Sequence, residues 1–165
     1  MGNNANLNWI DTSDITDMSG LFTTYAGYKF TGDISLWDVS NVTNMDRMFH
    51  ESNFNGDISN WDVSNVTTME AMFYKTKFNG DISKWNVKNV QNMKYMFFGT
   101  PFTGDISNWN VRNVDDMSHM FESSKFNGDI SKWNVSNVKN MDYMFACTSF
   151  NGDISKWKVS HLFYM

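Results

Sequence analysis

The sequence has a single cysteine, a minority of basic residues and no long apolar segment. The lone Cys147 excludes an internal disulfide, so neither an oxidising nor a reducing compartment is indicated. No apolar run approaches the ~20 residues of a membrane span, and the N-terminus lacks the basic and apolar regions of a signal peptide. Lysine and arginine number 13 against 18 acidic residues, so the chain lacks the basic surface typical of nucleic-acid binding. We therefore expect no nucleic-acid partner and no membrane insertion.

The sequence is dominated by an internal repeat. Tryptophan recurs every 24 residues, at positions 37, 61, 85, 109, 133 and 157. Residues 30–165 hold five complete copies and a truncated sixth, and residues 1–29 form a degenerate N-terminal half repeat or cap. A unit this short cannot bury its own apolar face, but stacked copies share a continuous core. The chain is therefore predicted to be a repeat solenoid.

The apolar spacing within one copy predicts the local structure. Trp61 and Val63 alternate with polar residues, which is typical of a strand, whereas Val66, Met69 and Phe73 have helical spacing. The expected fold is a right-handed α/β coil of the leucine-rich-repeat type, with one short parallel strand and one short helical turn per repeat. Equivalent tryptophans should lie on adjacent parallel strands about 5 Å apart. The inward positions are Ile34, Trp37, Val39, Val42, Met45, Met48, Phe49, Phe54 and their equivalents.

These residues also carry a family resemblance. Ile34-x-x-Trp37-x-Val39 resembles the strand segment of leucine-rich repeats, and the stretch from Val42 to Ser52 resembles the BspA-like variety. The unit G-D-I-S-x-W-D-V-S-N-V-T-x-M-x-x-M-F resembles the DUF285 repeat over residues 30–165. The resemblance implies a surface or adhesion module located at the cell surface or outside the cell. Val42 replaces the buried asparagine of ordinary leucine-rich repeats, which puts the usual asparagine ladder in doubt.

The sequence offers no arrangement of residues typical of catalysis, and we expect no enzymatic activity, no metal and no cofactor. The histidines His50, His119 and His161 occupy three different repeat positions, so they do not form one stacked site. An aspartate follows glycine in every copy, at 33, 57, 81, 105, 129 and 153. A calcium ladder would need more oxygen ligands per repeat, which favours Asx-turns. The column of Asn41 and its equivalents is either an inward hydrogen-bonded ladder or a row of helix caps.

Two functions remain open. The first is a non-catalytic scaffold for recognition of, or adhesion to, a protein or glycan partner. The alternative is a structural or assembly component, such as a shell, fibre or virion protein, in which the solenoid is a rigid spacer. The exposed strand face is the predicted partner-binding surface. Its candidate residues are Asp38, Asp62, Lys84, Asn86, Lys88, Asn110, Arg112, Lys132, Asn134 and Lys156.

The last copy lacks most of its predicted helical segment. The aromatic residues near its end are therefore interpreted either as an improvised cap or as an end-to-end contact between molecules, with the contact favoured. Self-association would use Trp157, Leu162, Phe163 and Tyr164.

Overall fold

The computed structural model describes residues 4–24 and 29–163. The chain winds into stacked coils, one per repeat. We number them coil 1 (4–24), coil 2 (30–53), coil 3 (54–77), coil 4 (78–101), coil 5 (102–125), coil 6 (126–149) and the incomplete coil 7 (150–163). Coil 1 is more complete than the sequence repeat indicates, because the Leu7 N–H bonds the Asp33 carbonyl and Ile10 closes a turn on Leu7. Leu7 and Ile10 thus take the places of Ile34 and Trp37.

Within the described residues the protein has no α-helix, and parallel pairing is limited to single-residue bridges. No helix there is suited to crossing a bilayer. The bridges are Asn6↔Asp33, Asp17↔Asn44, Asn44↔Thr68, Thr68↔Asn92, Asn92↔Asp116 and Asp116↔Asn140. The predicted helical turn and the predicted multi-residue strand are both missing from this part of the chain. Apart from Asn6↔Asp33, these bridges lie beside the first methionine of each repeat, and none lies at the tryptophan.

The segment expected to be helical uses its N–H groups in two directions. The N–H groups of Met45, Arg47, Phe49 and Glu51 donate to carbonyls of the next coil over 2.7–3.1 Å. Of the intervening N–H groups, those of Met48 and His50 donate three residues back within coil 2, and that of Asp46 donates to the Asn44 side-chain oxygen. Arg47 and Glu51 have φ values of 56° and 58°, in the left-handed (αL) region. An α-helix cannot form because every second peptide is turned towards the neighbouring coil, and the helix-like apolar spacing reflects three-residue turns instead.

The segment expected to be a strand consists of two tight turns. The N–H of Trp37 donates to the Ile34 carbonyl, and the N–H of Val42 donates to the Val39 carbonyl, at 3.1 and 3.0 Å. The preceding Asp33 carboxylate accepts the Ser35 N–H at 3.0 Å, which is an Asx-turn. The alternation of Trp and Val is therefore produced by consecutive turns.

The predicted core columns are confirmed. The inward positions of coils 2 to 5, from Ile34 to Phe126, are almost fully shielded from solvent. Phenylalanine rings stack within and between coils, with Phe73 at 4.1 Å from Phe78 and 5.7 Å from Phe97. The described part of the chain has no buried side-chain nitrogen or oxygen without a hydrogen-bond partner. The coils are thus held together by a continuous apolar interior and by backbone hydrogen bonds between neighbours.

Asn41 and its equivalents form hydrogen bonds between coils on the outside of the molecule. The Asn65 side-chain amide donates to the Ser40 carbonyl of the preceding coil at 2.7 Å, and Asn89 donates to Ser64 at the same distance. These side chains are exposed or half-buried. The inward ladder is wrong, because the hydrogen-bonded ladder lies at the surface, and the described residues contain no α-helix for this column to cap.

Candidate functional site

The coils differ from one another mainly along one outward face. We call this the αL face and define it as Asp46, Arg47, His50 and Glu51 of coil 2 with their equivalents in coils 3 to 6. The equivalents are Glu70, Ala71, Tyr74 and Lys75; Lys94, Tyr95, Phe98 and Gly99; Ser118, His119, Glu122 and Ser123; and Asp142, Tyr143, Ala146 and Cys147. Size, charge and aromaticity all change from coil to coil at these positions, while the core columns barely change.

Two of these four columns have a backbone conformation that disfavours side chains. The columns of Arg47 and Glu51 hold αL residues in every coil from 2 to 6, and only Gly99 among them is a glycine. A non-glycine residue in this region costs on the order of 1 kcal/mol, whereas glycine adopts it freely. Arginine, tyrosine and histidine are nevertheless present. The backbone conformation at these positions does not require these side chains.

Aromatic rings on the αL face form two parallel stacks. In one, His50 lies 4.5 Å from Tyr74, which lies 4.7 Å from Phe98. In the other, His119 lies 4.3 Å from Tyr95 and 5.2 Å from Tyr143. Tyr74 and Tyr95 meet edge to face at 6.0 Å and connect the two stacks.

Charged groups surround these rings. The Arg47 guanidinium bonds the Glu70 carboxylate at 3.1 Å, and the other Glu70 oxygen accepts the Asn92 amide at 3.2 Å. The Lys75 and Lys94 ammonium groups lie over the Tyr74 and Tyr95 rings at 5.2 and 5.4 Å.

The two histidines of the face are held differently. Burial lowers the pKa of His50, which favours its neutral form at neutral pH. His119 hydrogen-bonds Glu122 through Nδ1.

Most of these side chains line a groove of about 690 Å³ that extends from coil 1 to coil 5. Its rings are those of His50, Tyr74, Phe98, Tyr95 and His119. Its volume lies within the roughly 300–1,000 Å³ typical of small-ligand sites. No group of three His, Cys, Asp or Glu side chains within residues 4–24 and 29–163 is placed to hold a metal ion. The groove presents aromatic rings next to hydrogen-bond donors and acceptors, so a ligand could both stack and form hydrogen bonds there.

The residues predicted from the sequence lie elsewhere on the surface. All ten candidates of the partner-binding face are exposed. Five of them also have a structural role, because their side-chain oxygens accept the N–H two residues on, as Asp62 does from Ser64 at 3.0 Å. These five are Asp38, Asp62, Asn86, Asn110 and Asn134. The sequence analysis missed the groove. The signal that could have indicated it is the variation between copies in the columns of Arg47 and His50.

The residues predicted for end-to-end contact are only partly covered. Trp157 and Leu162 are half-buried, and Phe163 is 75% exposed. Tyr164 lies outside the described residues. An apolar cavity of about 340 Å³ opens beside them, lined mainly by Met141, Met144, Phe145, Ile154, Trp157 and Val159.

The aspartate column forms the Asx-turns favoured by the sequence analysis. The Asp81 carboxylate accepts the Ser83 N–H at 2.9 Å, and the same arrangement recurs from Asp33 to Asp153. The backbone N–H and then the hydroxyl of Ser83 lower the pKa of Asp81. A carboxyl group whose pKa is lowered by folding stabilises the fold above its unfolded pKa of about 4, and this contribution is lost as pH falls through the folded pKa.

We therefore expect the melting temperature to fall steeply below about pH 4. The matched variant is the triple substitution Asp57→Asn, Asp81→Asn and Asp105→Asn. Asparagine keeps the acceptor oxygen, as Asn86 does for the Lys88 N–H, but does not titrate. The variant should melt close to the parent at pH 7 and lose less stability between pH 5 and pH 3. Identical acid profiles in differential scanning calorimetry would contradict this role.

Comparison with known proteins identifies the family of this chain. The family model described as "Mycoplasma protein of unknown function, DUF285" matches residues 2–102 and 76–165. The two matched regions overlap and together extend over nearly the whole chain. No curated protein and no solved structure matches the chain.

Proposed function

The chain belongs to the DUF285 family, and on that premise we propose that it is a non-catalytic recognition module whose αL face binds a glycan. The observation that carries the proposal is the presence of Arg47, Tyr95 and His119 at αL positions that line one groove, where glycine would cost less. Side chains that vary between coils and gather along one groove are typical of a binding surface.

A glycan fits the groove better than a protein does. A stable protein interface needs about 800 Å² per partner with a desolvated apolar centre. The groove instead alternates half-buried rings such as Tyr74 and Phe98 with charged groups such as Arg47 and Glu70. Sugars present apolar C–H surfaces and hydroxyl groups side by side, so they complement rings and hydrogen-bonding groups placed next to each other.

Binding to soluble oligosaccharides tests the proposal. Hexamers of glucose in α-1,4 and β-1,4 linkage, of N-acetylglucosamine and of mannose would be titrated by ligand-observed NMR. We expect at least one to bind the intact protein, and Tyr74→Ala to weaken binding at least tenfold. The paired variant Lys84→Ala, Lys132→Ala, on the face predicted from the sequence, should bind normally. Loss of binding only in that pair would place recognition on the other face. Absence of binding by the intact protein at millimolar sugar would overturn glycan recognition.

A leucine-rich-repeat-like, right-handed coil and a location at the cell surface belong to the same proposal. The right-handed sense follows the general preference of crossover connections between parallel segments. A surface location is supported by the family resemblance and by a binding groove suited to extracellular sugars.

The second candidate is assembly through the end of the stack. Its support is the apolar cavity beside Trp157 together with the exposed Phe163. The peptide N–H groups of Tyr143, Phe145 and Cys147 also have no acceptor among the described residues, whereas their equivalents in coil 5 bond coil 6. An end of this kind favours the addition of another coil-like surface.

For this chain we expect concentration-dependent association in analytical ultracentrifugation. Val159→Asp should shift the protein towards the monomer, because Val159 lines the apolar cavity and is 41% exposed. Leu36→Asp is the matched control, since Leu36 is 77% exposed on the side of the stack. Equal association of both variants, or a strictly monomeric parent at high concentration, would count against assembly through this end.

A further inference from the structure

Two exposed apolar side chains lie next to each other in coils 1 and 2. Trp9 is 71% exposed and Leu36 is 77% exposed. The side-chain oxygen of Asn8 accepts the Leu36 N–H at 2.9 Å, which joins the two coils at this point. The equivalent positions of coils 3 to 7 are all polar, with Asn60, Lys84, Asn108, Lys132 and Lys156. The fold therefore does not require an apolar residue in this column.

A row of carboxylates runs beside this apolar pair, two residues further along each coil. Asp11, Asp38 and Asp62 are equivalent residues of coils 1 to 3, and each accepts the N–H two residues on at 3.0 Å. Coils 4 to 6 have asparagine in the same column, at 86, 110 and 134, and its side-chain oxygen accepts the same N–H at 3.2–3.4 Å. Because the turn forms with either residue, it does not require the negative charge.

The charges in this row repel one another. Hydrogen bonds from the serine two residues on lower the pKa of each of Asp11, Asp38 and Asp62, so all three are ionised at neutral pH. The charge of Asp11 acts against that of Asp38, and the charge of Asp38 against that of Asp62. None of the three takes part in a salt bridge within residues 4–24 and 29–163. Cations supplied by another molecule would relieve this repulsion.

The apolar pair and the carboxylate row together form an acidic–apolar patch, defined as Trp9, Asp11, Leu36, Asp38 and Asp62. We propose that this patch docks a linear segment of another protein in which lysine or arginine residues flank apolar side chains. The cations of the segment pair with the carboxylates and lie over the Trp9 indole, which is the ring that attracts cations most strongly. Its apolar side chains cover Leu36. The patch lies outside the groove, so the inference goes beyond glycan recognition and does not depend on it.

A second copy of this chain is a poorer occupant than another protein. The lysines that follow Trp9 in its column are Lys84, Lys132 and Lys156, and the equivalent positions in coils 3 to 7 hold no apolar residue. Each of these lysines also lies close enough to the aspartate three residues earlier to stabilise that negative charge. The basic end of the face therefore offers neither free cations nor the apolar side chains that would cover Leu36.

Binding of a defined cationic peptide tests the patch. The probe is the heptapeptide Lys-Arg-Leu-Gly-Leu-Arg-Lys, titrated into the intact protein at low salt in isothermal titration calorimetry. We expect saturable binding that weakens as salt is added, because exposed charges are screened. The triple variant Asp11→Asn, Asp38→Asn and Asp62→Asn keeps the acceptor oxygens of the turns and should bind at least tenfold more weakly. The variant Trp9→Ser, Leu36→Asn keeps every charge and should bind at least fivefold more weakly.

A matched control makes the same change of charge in later coils. The triple variant Asp81→Asn, Asp105→Asn and Asp129→Asn should bind the probe within twofold of the parent. Both patch variants should melt close to the parent in differential scanning calorimetry at pH 7, since asparagine and serine are tolerated in equivalent exposed positions. They should also bind the same glycan hexamers as the parent, which separates this surface from the αL face.

Four results would overturn the docking site. The first is equal binding of the probe by the parent and both patch variants. The second is equal loss in the patch triple variant and its matched control, which would show attraction to net charge alone. The third is equal affinity of the parent for Lys-Arg-Ser-Gly-Ser-Arg-Lys, which would remove the role of Trp9 and Leu36. The last is the absence of saturable binding by the parent at millimolar peptide.

Discussion

Replacing Trp85 with alanine is expected to lower the free energy of unfolding by about 3–5 kcal/mol. The side chain is 4% exposed in the middle of the stack and contacts the Phe73 ring at 6.3 Å between centroids. Its indole N–H donates to the Ile58 carbonyl of the preceding coil at 3.1 Å. The substitution therefore opens a cavity and removes one of the two N–H donors of the Ile58 carbonyl, which keeps the Trp61 N–H, at an interface on which both halves of the stack depend.

Urea denaturation followed by far-ultraviolet circular dichroism measures the effect. Trp85→Phe separates its two causes, because it keeps a ring but removes the indole N–H bond to the Ile58 carbonyl, and it should cost about 0.5–1.5 kcal/mol. Trp157→Ala is the positional control, since Trp157 makes the same type of bond to Ile130 but is only half-buried in the last coil. A loss under about 1 kcal/mol for Trp85→Ala would place the tryptophan column at the surface and contradict its role in the core.

A single methyl group at Gly80 is expected to destabilise the protein by about 1–3 kcal/mol. The Cβ of alanine would lie 2.8 Å from Cε2 and 3.0 Å from Cζ of Phe78. That ring is completely buried, with Phe73 at 4.1 Å and Phe54 and Phe102 at 6.2 Å on either side. Because the ring has nowhere to move, the backbone of coil 4 must shift.

Thermal unfolding tests this steric explanation. Phe78→Leu should make Gly80→Ala less harmful, since the smaller side chain leaves space for the added methyl group. Gly99→Ala is the contrasting control, because Gly99 has a φ of 64° and its Cβ would approach only the flexible Lys75 side chain, at 3.2 Å. It should cost about 1 kcal/mol through the backbone alone. An additive double variant of Phe78 and Gly80 would contradict the proposed clash.

The candidate site was less accessible from the sequence than the core. The alternation of Trp and Val predicted a strand and, with it, a binding face that includes Asp62 and Lys84. The structure has turns in place of the strand, and half of the residues of that face form Asx-turns. The residue types in the columns of Arg47 and His50 vary between copies. The apolar spacing of this segment, however, predicts an amphipathic helix, and these columns fall on its polar side. These side chains reach one groove because their backbone is in the αL region. Residue types such as Tyr95 and His119 do not indicate that conformation in a sequence.

The sequence by itself determined the repeat, its stacking and its buried positions. An ungapped 24-residue period brings equivalent residues of successive coils into register, and a unit too small to bury its own apolar side chains must bury them against its neighbours. Trp, Met and Phe columns therefore lie inside whatever the local backbone does. The Asx-turns of Asp81 and its equivalents also followed from the sequence, because their hydrogen bonds are made within three residues.

Only the tertiary structure decided how each coil is built and where its surface can bind. Three-residue turns and an α-helix place apolar side chains at nearly the same spacing, so periodicity does not distinguish them. The choice depends on alternate N–H groups, such as those of Arg47 and Phe49, which find their acceptors in the next coil. Those bonds exist only once the coils are stacked. The αL residues and the ring stacks both result from them.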